Sequence, residues 1–350
     1  MAAEPDLRAA RGRVAEHGLL PYLLLAGTVL FWGTSFAATK SAYTDLAPMT
    51  VVWLRMIVAS LVFLPVWRML PRPVRRPGDR RVLALSLAFI PCAYFALEGF
   101  AIQYTTSSQA GVIAATAPLM VAAGAWLVLR ERLAVRTVMG ILVSMAGVGV
   151  LALGGVAGET APNPLLGNLL EVGAMAGAAG STITIRHLAG RYDPWFLTGL
   201  QMATGALFFA PLALASGPIA WGEVAFGTWA AVAYLGIFPS LVGFGLYNSA
   251  LRLLPANRAA TSLNLIPAVA VLTGWLALGE SLSWVQLVAC AAIVAAVVWA
   301  GTAERQTRGG GEANRDPRPN SAPPPRLRWR APLRRDGRRG SRSHPGHHPS

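Results

Sequence analysis

Residues Ala110–Leu133 read AGVIAATAPLMVAAGAWLVLRERL, and Ala259–Leu282 read AATSLNLIPAVAVLTGWLALGESL. Aligned without a gap, Ala110, Pro118, Trp126, Leu127, Leu129, Glu131 and Leu133 meet Ala259, Pro267, Trp275, Leu276, Leu278, Glu280 and Leu282. The register extends upstream, where Leu97 meets Leu246 and Ala101 meets Ala250. A neighbouring register pairs Pro48, Met56, Phe63 and Pro65 with Pro194, Met202, Phe209 and Pro211. One apolar unit is written twice, which is the sequence signature of a membrane carrier whose halves enclose a site between them.

Composition points the same way. Hydrophobic residues make up 54% of the 350-residue chain and charged residues 13%, which excludes an ordinary soluble domain of this length. Apolar runs of about 20 residues, enough to cross a bilayer, follow one another to Gly301. They are read as ten transmembrane helices: 19–39, 46–67, 82–103, 108–129, 135–153, 165–185, 194–214, 227–249, 256–278 and 283–301. Residues 1–18 form an N-terminal segment without an apolar core, so no cleavable signal peptide is read there. Residues 19–153 form the first five-helix repeat, 165–301 the second, and 302–350 a tail. Cys92 and Cys290 lie far apart within apolar runs and are read as buried thiols rather than a disulfide.

Charge sets the orientation. With the N-terminus in the cytoplasm, every one of the 30 Lys and Arg except Lys40 and Arg55 falls on the inner side, while Asp45, Glu159, Glu223 and Glu280 fall outside. This is the positive-inside pattern of a multi-pass plasma-membrane protein with both termini cytoplasmic. An odd number of helices per repeat gives the halves opposite orientation, so the fold class is an all-α integral membrane protein built from two inverted five-helix repeats. Each half can then adopt the conformation the other had, which is the physical basis of alternating access.

The residues also carry a family resemblance. Phe31-Trp32-Gly33-Thr34-Ser35-Phe36, Pro48 followed by Arg55, and the two proline-centred helices that end in Glu131 and Gly279-Glu280 resemble the EamA-type transporter family of the drug/metabolite superfamily. The resemblance covers about residues 20–301. It implies a ten-helix carrier of small solutes, commonly an exporter of amino acids or related metabolites, driven by a proton or counter-solute gradient and using no ATP. A multidrug or nucleotide-sugar carrier of the same superfamily is a second reading. The sequence departs from the pattern at Gln201, in register with Arg55, and at Ala178, where a Trp matching Trp32 would stand.

Ionisable groups within spans are costly and are candidates for function. Arg55 lies near the midplane of the second span, Glu171 within the sixth and Glu98 toward the outer end of the third. In the functional reading Arg55 holds a substrate carboxylate and a Glu takes a proton; in the structural one Arg55 pairs within the protein and Glu98 snorkels to the interface. Tyr94, Asn248 and Asn264 are candidate polar groups of a substrate pocket, with Trp32, Trp53, Tyr247 and Trp275 as further shapers; interfacial belts and interhelical hydrogen bonds are the alternatives. Pro118 and Pro267 occupy matching sites and are read as kinks, either hinges or static bends. Glu131 and Glu280 are read as anchors at the N-termini of the helices that follow them, near Val135 and Ser283. Gly140 and Ser144 are read as helix packing.

No metal constellation, cofactor motif or catalytic arrangement is found, and the glycines at 154–158 are read as a turn. The tail carries twelve Arg with many Pro, Gly and Ser and is read as disordered. It either contacts anionic lipid or a macromolecular partner, or merely extends the chain on the cytoplasmic side. A non-transporting membrane protein that recruits a partner through this tail is the reading from another class.

Overall fold

The computed structural model describes residues 19–71, 73, 76–129, 135–154, 161–254, 259 and 263–313. The N-terminal segment, Glu131, Glu159, most of the glycine-rich turn and the basic tail beyond Ala313 therefore lie outside the described residues. The chain divides into a unit through Arg308 and a second unit, Gly309–Ser350. The long apolar stretches among the described residues all belong to the first unit.

No strand forms among the described residues. In order the helices are α1 Leu20–Ala42, α2 Pro48–Trp67, α3 Asp79–Leu87, α4 Tyr94–Tyr104, α5 Ser107–Ala114, α6 Ala117–Leu129, α7 Val135–Gly154, α8 Pro164–Leu188, α9 Pro194–Ala215, α10 Phe226–Leu235, α11 Phe244–Leu253, α12 Ile266–Leu278 and α13 Trp284–Ala313. Wide π-helical turns, Ala88–Ala93 and Gly236–Gly243, join α3 to α4 and α10 to α11, and a 3-10 turn, Leu263–Leu265, leads into α12. The last helix runs on to Ala313, past the end of the apolar run at Gly301, so the tail begins as helix.

By length and composition five of these rods can cross a membrane: α1, α2, the composite Asp79–Tyr104, α9 and the composite Phe226–Leu253. Shorter apolar stretches lie at Val138–Gly147, Leu263–Leu278 and Trp284–Ala296. The other five expected spans are not found as single long apolar helices among the described residues: the fifth, ninth and tenth hold those shorter stretches, and the fourth and sixth differ in kind. The fourth apolar run is split into α5 and α6, and α8 is long but too polar, with Asn168, Glu171, Ser181 and Thr182 all buried along it. A helix of that character is held by its neighbours rather than by lipid.

Sequence chemistry explains the helix ends. Pro48, Pro164 and Pro194 open α2, α8 and α9, where the missing N–H costs nothing. Asp193 caps α9 by accepting from the Trp195 and Phe196 N–H groups at 2.9 and 3.3 Å. Gly279, at φ 64°, ends α12 with the Gly279 and Glu280 N–H groups returned to the Trp275 and Gly274 carbonyls.

Pro118 and Pro267 differ from the expectation. Each stands in the first turn of a helix, α6 and α12, and neither kinks a continuous one. The breaks inside helices fall instead at Ile90-Pro91, where Ile90 has extended backbone (φ −130°, ψ 121°), and in the turn that holds Pro239.

The halves interlock pairwise. α2 packs on α9, α5 on α12, α4 on α8, and α1 on both α10 and α11. Two contacts need glycine because the helices touch backbone to side chain: a Cβ on Gly199 would stand 1.9 Å from Phe63, and one on Gly111 would stand 2.1 Å from Ala270. Two apolar cores lie around Phe36, Met175 and Tyr247 and around Met56, Phe95 and Phe244. The outward surface is also apolar, with Leu61, Leu64, Leu207, Leu214 and Leu276 exposed.

Overpacking a tight helix contact costs about 1–3 kcal/mol. Gly199→Ala is therefore expected to lower the detergent thermal stability of the purified protein, whereas Gly222→Ala, where nothing lies within 4 Å, leaves it unchanged. Equal melting curves for the two variants would contradict the α2–α9 packing.

Candidate functional site

A cavity of about 830 Å³, part of it continuous with open space, lies among α1, α2, α4, α6, α8, α9, α11 and α12. The broken helices build it. At Pro91 the chain turns so that Tyr94, Phe95 and Glu98 face inward, and the turn containing Pro239 brings Ser240 against Arg55. The backbone carbonyls at these breaks are met by side chains: Trp32 Nε1 donates to the Pro239 carbonyl at 3.2 Å, and Gln201 Nε2 to the Ile90 carbonyl at 3.5 Å.

Arg55 is 3% exposed. Its Nε donates to Ser240 Oγ at 2.8 Å, and its guanidinium carbon lies 4.8 Å from the centroid of Phe95. Among the described residues the direct ion pair is Arg191–Asp79, at 2.6 Å; Arg55 reaches the cavity without a direct salt bridge. Glu98 also lines the cavity and accepts a hydrogen bond from the Tyr94 hydroxyl. A cation and an acid therefore share one enclosure and act on each other electrostatically without forming a direct salt bridge. Its walls are aromatic: Trp32 lies 4.8 Å from Phe244 and 5.1 Å from Tyr247 between ring centroids.

The structure gathers Arg55, Tyr94, Glu98 and Asn248 at this cavity, with Pro118 on its wall. Asn248 Nδ2 donates to Thr198 Oγ1 at 2.9 Å and is 3.5 Å from Gln201 Oε1. Glu171 and Asn264 are buried but do not line it, and neither does Pro267. Of the aromatic shapers, Trp32 and Tyr247 face the cavity; Trp53 instead donates to the Ala206 carbonyl at 3.1 Å, and Trp275 is exposed. Gln201, Ser181, Thr182 and Ser240 are not among the sequence candidates. Gln201 has a legible signal, since it occupies the register of Arg55; the others are hydroxyls of a kind common in packed helices.

The two ends of the bundle differ. At one end, acidic side chains tie loops together across the halves and a lysine closes a helix end within the first half. Glu280 does not serve the helix that follows it; its carboxylate accepts from the Ser107 and Ser108 N–H groups at 2.8 and 2.9 Å and from their hydroxyls at 2.9 and 2.6 Å, capping α5. Sequence adjacency points to Ser283, but the turn at Gly279 sends the carboxylate to the other repeat. Asp45 accepts from the Thr228 hydroxyl at 2.6 Å and the Ala225 N–H at 3.0 Å, at the start of α10. Lys40 Nζ donates to the Ile102 and Thr105 carbonyls at 2.6 and 2.7 Å, closing the C-terminus of α4. At the opposite end Arg191 pairs with Asp79, and Arg186 donates to the Leu251 carbonyl at 2.6 Å. The cavity walls reach toward this arginine end through Val121, Ile185, Leu251 and Leu263.

Residues 19–153 and 165–302 both match the EamA-like transporter family. The chain belongs to that family. It is similar to the uncharacterized transporter YetK of Bacillus subtilis, 24% identical over 84% of this chain and 90% of that protein. An uncharacterized transporter of Archaeoglobus fulgidus is 28% identical over 75% of this chain and 91% of its own. A protein of Streptantibioticus cattleyicolor named "Probable terminal-alkyne amino-acid exporter" is 27% identical over 72% of this chain and 84% of that one. A solved crystal structure shares the fold, with a TM-score of 0.60 at 21% identity, covering 82% of this chain and 98% of that one. Together with the apolar helices, this makes the chain a multi-pass membrane protein of a transporter family.

The hydrogen bond from Thr228, with that from Ala225, holds the Asp45 carboxyl below the usual Asp range of about 4. A carboxyl lowered on folding stabilises the fold above its unfolded value, and that contribution vanishes as pH falls through the folded one. Asp45→Asn is thus expected to lower thermal stability at neutral pH and to match wild type in strong acid. A stability difference that persists unchanged in acid would show that the tie does not depend on the charge.

Proposed function

We propose that the protein is a secondary carrier that exports small carboxylate-bearing metabolites, amino acids among them, across the bacterial plasma membrane by alternating access. The observation that carries this is Arg55, a buried guanidinium that reaches an aromatic-walled cavity with no direct salt bridge, the Glu98 carboxyl acting on it across the cavity. A desolvated cation of that kind is stabilised by an arriving carboxylate, which a guanidinium grips through two parallel hydrogen bonds. Glu98 and Tyr94 then meet an ammonium group, and Trp32, Phe244 and Tyr247 meet an apolar side chain. The name of the Streptantibioticus relative favours the same class of cargo.

In this reading ten helices span the membrane as two inverted five-helix halves. The pairing supports it: α2 on α9 joins equivalent helices and α5 on α12 joins parts of equivalent spans, while α4 on α8 and α1 on α10–α11 exchange roles between the halves. The arginine end faces the cytoplasm, with both termini, and the acid end faces outward. The conformation is closed outside by the Asp45 and Glu280 ties. Pro118 and Pro267, each beginning a half-helix, together with the breaks at Pro91 and Pro239, supply the places where rocking is absorbed.

Arg55→Gln installs the group that the second repeat carries at Gln201, and Arg55→Lys keeps charge but not the planar fork. In proteoliposomes loaded with a panel of zwitterionic and acidic metabolites, the Gln variant is expected to lose about 100-fold in exchange of the transported solute, corresponding to a lost charged hydrogen bond of about 3 kcal/mol. The Lys variant is expected to be partly active. Normal exchange by a properly inserted Gln variant would remove Arg55 from substrate recognition.

Orientation is open to a separate check. A single cysteine at Glu223 should react with an impermeant reagent in intact cells, and one at Arg76 only after permeabilisation. The reverse pattern would refute both the orientation and the direction of closure.

A further inference from the structure

Glu171 is 0% exposed, and neither carboxyl oxygen has a hydrogen-bond partner among the described residues. It stands on α8 between two layers. Toward the acid end, Asn168 accepts from Thr105 Oγ1 at 2.8 Å and donates to Gln109 Oε1 at 2.9 Å, and Gly167 lies against Thr105 and Ala101. Toward the arginine end, Met175, one turn along the same face, already lines the cavity. Glu171 is thus sealed from the cavity on one side and from the outer solution on the other.

The groups around it are few. From α4, Glu98 and Tyr94 act on it electrostatically, as does Tyr43 at the end of α1. α5 and α6 present no titratable side chain among their described residues. The other elements packed on α8 carry Cys92, Tyr247, Arg252, Asp79, Arg80, Arg81 and Arg136. None of these gives Glu171 a salt bridge or a hydrogen bond. A carboxylate without partner or water is among the costliest groups to bury, whereas a neutral acid costs a few kcal/mol at most. Glu98, with its Tyr94 hydrogen bond and its cavity face, is the better place for negative charge, and two nearby acids resist ionising together.

We propose that Glu171 is a proton-binding site, separate from the substrate cavity, and that closing the acid end of the carrier requires it to take up H+ from that side. When the acid end opens, water reaches the carboxyl; its O–H bond can break, H+ passing to water, and re-form from solution. Closure strips the water away and admits only the protonated acid. When the acid end reopens, water returns to the carboxyl and H+ leaves to that side. The closure that it controls rests on the carrier reading above; the proton site itself rests on burial and the two closed layers.

Two measurements on the full chain in lipid vesicles test it without any solute. With Cys92 and Cys290 replaced by Ala, spin labels at Thr44→Cys and Glu223→Cys report the distance across the acid end. The closed population is expected to fall as pH rises. Glu171→Gln, a neutral mimic of the protonated acid, should stay closed at every pH, while Glu171→Asp should keep the dependence at a shifted midpoint. Infrared spectra at neutral pH should show a protonated-carboxyl band that Glu171→Gln removes, Glu171→Asp shifts and Glu98→Gln retains. A pH-independent distance in the parent, a Gln variant that titrates like the parent, or a band untouched by Glu171→Gln would each overturn the proposal. Solute exchange that persists alongside such a result would sink the proton site alone; a distance that never changes under any condition would sink the proposal and alternating access together.

Discussion

The indole of Trp32 reaching the carbonyl of Pro239, and the amide of Gln201 reaching that of Ile90, are small contacts on which much else depends. Hydrocarbon supplies no hydrogen bonds, so non-helical backbone at membrane depth survives only where the protein itself satisfies it. Two prolines break two otherwise apolar rods, and the groups thereby freed find partners on helices from the other half. The breaks aim Tyr94, Phe95 and Glu98 at the cavity and set Ser240 beside Arg55. Without the cross-half donors, the breaks would be too costly to keep; without the breaks, no polar cavity would form.

The same reciprocity governs the acid end. Asp45, from the first half, holds the start of α10 in the second; Glu280, from the second, holds the start of α5 in the first. Helix N-termini present unpaired N–H groups and partial positive charge, and each half leaves such an end for the other to complete. This end is therefore held by hydrogen bonds between halves rather than by a continuous apolar seal. Cavity and closure are two results of one arrangement, in which neither repeat is complete alone.

Much of this is legible from residues. The duplicated register of Ala110–Leu133 and Ala259–Leu282, the apolar composition and the arginine asymmetry carry the class of fold and the internal repeat, because apolar length and charge placement act locally and additively along a chain. The scarcity of charge within the spans likewise singles out Arg55, Glu98 and Glu171, since each such residue must be explained by something.

What the chain alone does not decide is which of these meet. Pro118 and Pro267 look like kinks in sequence, but whether a proline bends a helix or begins one depends on whether the preceding turn keeps its hydrogen bonds, which packing settles. Glu280 points to its neighbour in sequence because proximity along the chain is all a sequence offers, whereas the left-handed turn at Gly279 directs it across the interface. In sequence Glu171 and Glu98 differ only in depth, Glu98 standing nearer the outer end of its span. Tertiary structure separates them, putting one on the cavity wall and the other in a buried layer off it, because a side chain's solvent and partners are properties of the assembled surfaces around it.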